Sequence, residues 1–180
     1  MTTEAKHKDH KEKGFMLPDE LLRRIDKIVV NVGFGRLATA QAHFEDKILP
    51  NLIEDVAAIT GQRPAPCPAK KSIANFKLRE GMTIGLKTTL RGRRMQHFLE
   101  RLVAIVFPRI KDFQGIALST VDENGNLTVG IKETIVFPEI MPDVARTGFG
   151  LQITIVPKSR MTREAAIGFY RSLSIPLKKA

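Results

Sequence analysis

The sequence predicts an α+β fold, a mostly antiparallel sheet with helices packed on one face and the other face free to meet a partner. Short β-branched runs and segments with a helical apolar period follow one another along the chain. Their order, strand, helix, hairpin, helix, further strands and a last helix, is typical of α+β proteins. Residues 15–180 are predicted to form a single domain, and the polar residues 1–14 a flexible tail.

The first part of the domain is predicted to contain a short helix, a strand and a longer helix. The short helix begins at Pro18, because proline is favoured in the first turn of a helix. The β-branched run Ile28–Val32 predicts the strand. Residues 37–61 have apolar side chains at steps of three and four, which is typical of a helix. Pro50 should kink or split this helix, and Gly61 should end it.

The middle of the chain is predicted to form a hairpin and the clearest helix of the sequence. Residues 63–71 contain three prolines and should be extended. Residues 72–79 and 82–91 are predicted to be the two arms of a hairpin with its turn at 80–81. In the second arm Lys87, Thr89 and Arg91 should share one face, to which the cations of the hairpin point, and the apolar side chains the other. An apolar stripe with helical spacing predicts a helix over 93–110, which a proline near its end should stop.

The last part of the chain mixes strands with irregular segments. Residues 113–137 are predicted to form short strands around a turn at 124–125, where Asn-Gly is a strong turn signal. Residues 137–150 have no period and several turn residues, and are predicted to be a loop. Residues 151–156 are predicted to be a strand, and Thr162 to cap the final helix.

The positive charge of the chain is concentrated in one segment. The formal net charge is +10. Between Arg63 and Arg94 there are nine Lys and Arg but only one acid, Glu80, so this segment carries +8 and the rest of the chain only +2. Ordinary solvated faces mix both signs of charge. A concentration of one sign indicates a polyanionic partner, of which nucleic acid is the first candidate.

The residue types in this segment suit a phosphate-rich partner. Arginine offers planar donors that bind phosphate oxygens in pairs, hydroxyls add neutral donors, and the ring of Phe76 offers a surface for stacking. A basic face without a partner is the alternative, but its cations would repel one another. The residues predicted from this pattern to bind RNA are Lys70, Lys71, Ser72, Lys77, Arg79, Lys87, Thr89, Arg91, Arg93 and Arg94.

Other locations and partners are less favoured by the composition. No apolar run approaches the roughly 20 residues that span a bilayer. The N-terminal residues have no apolar segment typical of a secretory signal. The chain has a single cysteine, which excludes an internal disulfide and is typical of the reducing cytoplasm. Peripheral membrane binding is not favoured, because the cations lie on predicted strands rather than on an amphipathic helix.

One short motif imitates a nucleotide site. Gly33-x-Gly35-x-x-Ala38 follows a predicted strand and precedes a predicted helix, as in the dinucleotide-binding fingerprint. The acids at the expected distance, Glu54 and Asp55, lie within the predicted helix rather than at the end of a second strand. The motif is interpreted as a tight turn, and a nucleotide-dependent enzyme that uses it is kept as the alternative function.

No catalytic, metal or cofactor site is predicted. Cys67 lies between two prolines with no histidine nearby in the sequence, and an isolated cysteine is usually inert. His43 and His97 lie on predicted helices without an evident partner. The pair His7 and His10 lies in the predicted tail, where two mobile imidazoles make a poor metal site.

Five segments give the chain a resemblance to a known family. They are KIVVNVGFG, ITGQRP, AKKSIANFKLREGMTIGLKTTLRGRRM, FLERLVAIVFPRIKDFQG and GNLTVGIKETIVFPEI. In this order they resemble the bacterial type of the universal fifth protein of the large ribosomal subunit, a structural protein that binds 5S rRNA in the central protuberance and has no enzymatic activity.

The resemblance implies particular residues and partners. The recognition positions of the family match Asn31, Gln62 and Thr89, and its projecting loop, which approaches the peptidyl-site tRNA, matches Lys70–Gly81. The family also contacts large-subunit rRNA. Its bridge to a basic protein of the small-subunit head would lie near residues 109–115 and 139–149.

Overall fold

A computed structural model describes residues 17–40, 43–140 and 148–178. Five strands form one sheet, in which every neighbouring pair is antiparallel. The strands are β1 (Ile25–Gly33), β2 (Ala65–Pro68), β3 (Thr83–Leu90), β4 (Leu127–Ile131) and β5 (Leu151–Pro157). Their order across the sheet is β2-β3-β1-β5-β4, so that β1 lies at the centre and β2 and β4 at the edges.

Six α-helices accompany the sheet in the part of the chain that the structure describes. They are α1 (Asp19–Leu22), α2 (Gly35–Ala40), α3 (Leu49–Thr60), α4 (Gly92–Arg101), α5 (Phe107–Arg109) and α6 (Arg163–Ser172). A π-helical turn, Phe44–Ile48, precedes α3, and a second one, Leu102–Val106, joins α4 to α5. Within the described ranges, no helix has the length and apolar character needed to cross a bilayer.

The central strand has two faces of different character. Ile28, Val30 and Val32 are buried, whereas the alternate residues Val29 and Asn31 are only half-buried. Because successive side chains of a strand point to opposite faces, the first three define an inner face and the other two an outer face of the sheet.

The helices cover the inner face. A single apolar cluster unites the inward-facing strand residues with the buried stripes of α3, α4 and α6. The helical members include Leu52, Val56, Met95, Phe98 and Tyr170. The predicted α+β class, with helices on one face of an antiparallel sheet, is therefore confirmed.

The predicted helix over 37–61 is divided into α2, the π-helical turn Phe44–Ile48 and α3, and the change from π to α geometry lies beside Pro50. α2 ends at Ala40, and Pro50 lies in the first turn of α3, where its missing N–H group breaks no helical hydrogen bond. At the other end Gly61 has a φ of 68° and its N–H group donates to the carbonyl of Ala57 at 2.8 Å. This left-handed cap suits glycine and ends α3 as predicted.

The predicted first arm of the hairpin is wrong. β3 pairs with the proline-containing Ala65–Pro68, whereas residues 72–79 form no strand beyond a single bridge between Ile73 and Leu78. Pro66 and Pro68 lack N–H donors, but β2 is an edge strand, where a missing donor is tolerated. The extended conformation predicted for residues 63–71 is found in Ala65–Pro68, but the prediction did not pair this segment with β3 as an edge strand.

The C-terminal elements largely follow the prediction. β5 and α6 form where expected, and the Thr162 side chain accepts a hydrogen bond from the N–H group of Ala165 at 3.5 Å as the cap of α6. Of the short strands predicted over 113–137, β4 forms, and Val121 adds an isolated bridge to Leu127 around the predicted turn. Half of the predicted loop over 137–150, residues 141–147, lies outside the described residues.

Candidate RNA-binding surface

The outer face of the sheet carries polar side chains in cross-strand rows. In one row Asn31 of β1 lies opposite Lys87 of β3 on one side and Gln152 of β5 on the other. In the next row Val29 lies between Thr89 and Thr154. The prediction that Lys87 and Thr89 share a face opposite to the apolar side chains of β3 is confirmed, since Lys87 is exposed, Thr89 is half-buried and the residues between and beside them are buried.

Gln62 is held at the end of this face. The Thr60 hydroxyl donates to the main-chain carbonyl of Gln62 at 2.9 Å. The Gln62 side-chain amide donates from Nε2 to the carbonyl oxygen of Thr89, and its Oε1 accepts from Nη1 of Arg94, both at 3.4 Å. The structure therefore brings Gln62 into contact with two residues of the predicted site that lie 27 and 32 residues away in the sequence, Thr89 and Arg94.

Three exposed arginines surround the start of α4. Arg91 is the residue before the helix, and Arg93 and Arg94 lie in its first turn, which contains no acid. Cations at this end oppose the helix dipole. Nη1 of Arg91 lies 2.7 Å from Oδ1 of Asp26, a surface ion pair that partly neutralises one of the three.

The remaining predicted cations lie on a projecting loop, residues 69–82, between β2 and β3. Its neck is closed by two main-chain hydrogen bonds, from Ala69 to the carbonyl of Met82 at 2.8 Å and from Gly81 to the carbonyl of Ala69 at 3.0 Å. The five predicted site residues on this loop are all exposed: Lys70, Lys71, Ser72, Lys77 and Arg79.

The projecting loop is ordered by its own contacts. Ser72 Oγ accepts from the N–H group of Glu80 at 2.9 Å, and Ile73 and Leu78 exchange two main-chain hydrogen bonds. Lys77 adopts a left-handed φ of 52° at the turn between them. Phe76 is 68% exposed at this turn, so its ring is available for stacking, as the sequence predicted.

The cations do not form the single face that the sequence predicted. The loop cations and the arginines of α4 lie at opposite ends of β3, whose eight residues span about 25 Å. Only Lys87 of the predicted cations lies on the sheet between them. The sequence predicted one common face for the loop cations and the arginines of α4, because it placed the loop cations on a strand that does not form.

A broad depression of about 640 Å³ lies on the outer face. Asn31 and Gln152 lie on one side of it, and Lys132 is the only charged residue among the described ones that line it. Cys67 also lines it and is half-buried. Gln152 and Lys132 were not among the predicted site residues, although the alternation of polar and apolar residues in LQITIV places Gln152 on the outer face.

The glycine motif after β1 does not form a nucleotide site. Gly33 ends β1 and α2 begins at Gly35 but is only six residues long. The next strand, β2, lies at the sheet edge and pairs antiparallel with β3, so the parallel strands of a dinucleotide-binding unit are missing from the described sheet. Glu54 and Asp55 lie in α3, where burial and the Glu54 carboxylate raise the pKa of Asp55.

The other titratable groups have structural or solvent-exposed positions. Desolvation acts to raise the pKa of Asp122, but its hydrogen bonds with Asn126 and Asn124 outweigh this and lower it. Its carboxylate thus organises the turn before β4. His97 is largely exposed and lies 3.8 Å from Glu100. Among the described residues there is no cluster of three or more His, Cys, Asp or Glu that suits a metal ion.

Two family models match successive parts of the chain. The model described as ribosomal protein L5 matches residues 23–79, and the model described as the C-terminus of the same ribosomal family matches residues 83–177. These matches include every strand of the sheet and residues 69–79 of the projecting loop.

Curated relatives match over similar lengths. The large ribosomal subunit protein uL5 of Halothermothrix orenii is 48% identical over 142 residues, which are 79% of this chain and 76% of that protein. The proteins of the same name from Anaeromyxobacter sp. strain K and Anaeromyxobacter dehalogenans strain 2CP-1 are each 44% identical over 169 residues, 94% of this chain and 90% of each relative.

Proposed function

Because the chain belongs to the ribosomal protein L5 family and is a structural, non-enzymatic protein of the large ribosomal subunit, we propose that it binds 5S rRNA with the outer face of its sheet. The alternative of a nucleotide-dependent enzyme is not supported, since the family is non-enzymatic and the Gly33 turn lacks the required parallel strands. We place the complex in the central protuberance of the cytoplasmic ribosome, with residues 15–180 acting as one RNA-binding domain.

One observation carries the proposal: the outer face gathers the predicted recognition residues beside a group of cations. Asn31 and Thr89 both point outward on adjacent strands, and Gln62 is bonded to the main chain of Thr89 and to Arg94. Amide and hydroxyl groups can bind base edges and ribose hydroxyls of unpaired RNA. The arginines supply phosphate contacts that fix the position of the RNA without reading its sequence.

The electrostatic part of the binding should depend strongly on salt. Each neutralised phosphate releases counterions, so affinity falls as the salt concentration rises. If the cations around the outer face contact about six phosphates, the affinity should fall by about a thousandfold or more between roughly 50 and 200 mM salt. A shallow salt dependence would contradict binding through this basic surface.

We propose a separate role for the projecting loop. The loop precedes the start of β3, at the end opposite to the arginines of α4. Its exposed cations and the exposed ring of Phe76 provide phosphate-binding and stacking groups away from the outer face. We assign it to the peptidyl-site tRNA. Contacts with large-subunit rRNA and a bridge to a small-subunit head protein, through residues 109–115 and 139–149, complete the proposed partners.

The single cysteine of the chain provides a direct test of the 5S rRNA site. Cys67 is half-buried, and it lies across from Gly85 on the outer face. We expect 5S rRNA to slow the alkylation of Cys67, whereas an unrelated RNA of the same length should have little effect at physiological salt. For the control, Cys67→Ser is combined with Gly168→Cys, because Gly168 lies exposed on α6 with open space around it.

The control thiol should react at the same rate with and without the RNA. Protection of both thiols would indicate general shielding rather than a site. Unchanged alkylation of Cys67 in a complex that a gel shift shows to be fully formed would contradict binding at the outer face.

A further inference from the structure

Two side-chain amides face each other at the centre of the outer face. Asn31 of β1 and Gln152 of β5 are directly opposite in the antiparallel register. Their Cβ atoms are therefore about 5 Å apart, and both side chains point away from the core. In contrast to the Gln62 amide, neither of these two amides forms a hydrogen bond with another described residue. They present a matched pair of donors and acceptors to whatever lies on the sheet.

The two amides border the depression of about 640 Å³ described above. The depression exists because several neighbouring strand positions have no side chain. A Cβ atom added at Gly33 or Gly130 would meet no other atom within 4 Å, so these positions are not glycine for lack of space. Neither has a positive φ. Glycine weakens a strand, and within one it often marks a bulge, a bend or the close approach of a ligand or another backbone. The pairing is regular at both Gly33 and Gly130, so no bulge accounts for them.

The chemistry around the depression fits a nucleobase. An amide side chain can pair with the edge of adenine, giving one hydrogen bond and accepting another. Unstacked bases of RNA are recognised through such edges. The described lining contains a cation, Lys132, and no acid, while Lys87 lies next to Asn31 in the same row. These ammonium groups are placed to bind the phosphates that flank a base in the depression.

We propose that Gln152, together with Asn31, is a specificity-determining residue that recognises one unstacked base, adenine by its edge pattern, lying in this depression. The inference rests on the proposed binding of RNA to the outer face, and it adds a residue and an occupant that the charge pattern did not indicate. The amides read the base, and the flanking lysines bind its phosphates.

Two substitutions test the recognition and the space separately. Gln152→Ala should lower the affinity for 5S rRNA by about tenfold, since one amide–base pair is lost, and should leave the salt slope unchanged because no phosphate contact is removed. Gly130→Val should lower the affinity similarly by filling the depression, while the protein stays folded because valine is favoured in strands. Asn51→Ala removes an amide from α3, on the other side of the sheet, and should bind as the wild type does.

An RNA series identifies the base. Abasic nucleotides are placed in turn at each unpaired adenosine of 5S rRNA, and each RNA is titrated with the wild type and with Gln152→Ala. At one position the wild type should bind about tenfold more weakly, and the same abasic RNA should show no further loss with Gln152→Ala.

The possible outcomes separate the inference from the proposed function. If Gln152→Ala and Gly130→Val bind 5S rRNA as tightly as the wild type, while Lys87→Ala binds more weakly with a shallower salt slope, the base site is wrong and RNA binding on the outer face stands. If a folded wild type fails to bind 5S rRNA at all, both are overturned. An equal loss with Gln152→Ala for every abasic RNA would also contradict the recognition of a single base.

Discussion

The side-chain amide of Gln62 donates a hydrogen bond to the main-chain carbonyl of Thr89 across a separation of 27 residues, with Nε2 and O 3.4 Å apart. This contact fixes the segment after α3 against the C-terminal end of β3. The arginines at the start of α4 follow directly after this end. Both Gln62 bonds are long, so they should contribute little to stability. The main effect of the contact is to hold an amide and the Arg94 guanidinium beside the outer face.

Gln62→Ala should therefore separate binding from stability. We expect the free energy of unfolding to fall by no more than about 1 kcal/mol, since long hydrogen bonds at the surface are weak. The affinity for 5S rRNA should fall by about tenfold or more if the amide contacts the RNA. Urea denaturation and a gel shift measure the two effects, and a large loss of stability with unchanged affinity would assign Gln62 a structural role only.

Asp26→Asn should increase the affinity for RNA. The carboxylate of Asp26 lies 2.7 Å from Arg91 and 3.7 Å from Lys27, and it reduces the positive potential at this end of the sheet. Removing the charge should strengthen binding by about two- to fivefold at low salt, as expected for partly exposed ion pairs. Arg94→Ala should have the opposite effect and reduce the salt slope by about one. An unchanged affinity in Asp26→Asn would show that Arg91 does not face the RNA.

Arg93→Glu should stabilise the free protein while weakening RNA binding. Arg93 lies in the first turn of α4, where a cation opposes the helix dipole and an acid is favourable. The free energy of unfolding should rise by about 0.3–1 kcal/mol at low salt. The salt slope of RNA binding should fall, because a phosphate contact is replaced by repulsion. Gln96→Glu, further into the helix, is the control for a change of charge away from the first turn.

Thr88 and Thr89 are adjacent in β3 but lie on opposite faces, so they form a matched pair. The Thr88 hydroxyl is buried without a hydrogen-bond partner among the described residues. Thr88→Val should stabilise the protein by about 1 kcal/mol and leave RNA affinity unchanged. Thr89→Val should leave stability nearly unchanged but reduce the preference for 5S rRNA over an unrelated RNA. Equal losses on both RNAs in Thr89→Val would contradict a role of Thr89 in recognition.

Tyr170 should make stability depend on alkaline pH. Its hydroxyl donates to the carbonyl of Gly125 at 2.7 Å, and burial raises the pKa of Tyr170 well above its usual value. Because the unfolded chain loses this proton near pH 10 and the folded chain at higher pH, the stabilisation is complete below about pH 10 and is lost above it.

The comparison with Tyr170→Phe isolates this effect. At neutral pH the variant should be less stable by about 1 kcal/mol, the contribution of a typical hydrogen bond. The difference should shrink as the pH rises above about 10. Since the chain has one tyrosine and no tryptophan, the ultraviolet absorbance of tyrosinate reports this single group directly. A constant difference up to the pH of unfolding would contradict the raised pKa.

The parts of the fold that local patterns determine could be predicted from the sequence. Alternation along β1 and β5, the apolar stripe of α4 and the Thr162 cap each depend on neighbouring residues. β2 could not be predicted in this way, because whether a strand tolerates prolines depends on its place at the sheet edge.

The candidate site was predictable in composition but not in arrangement. The charge count identified the cations, and alternation placed Lys87 and Thr89 on one face. The order of strands across the sheet brings Gln152 opposite Asn31, and this depends on pairing between distant segments. Residues 72–79 form a loop instead of the predicted strand, and for this reason the loop cations lie apart from the arginines of α4.

The two hydrogen bonds at the neck of the projecting loop close it off from the sheet, so that the loop can be shortened without changing the strands. β2 and β3 are already paired from Pro68 to Thr83 before the loop begins, so the sheet does not depend on the residues beyond the neck. A shortened chain with a tight turn in place of residues 70–80 would retain the outer face of the sheet and lose the projecting loop. Ribosomes carrying such a chain would show what the loop contributes to translation, separately from the proposed binding of RNA by the sheet.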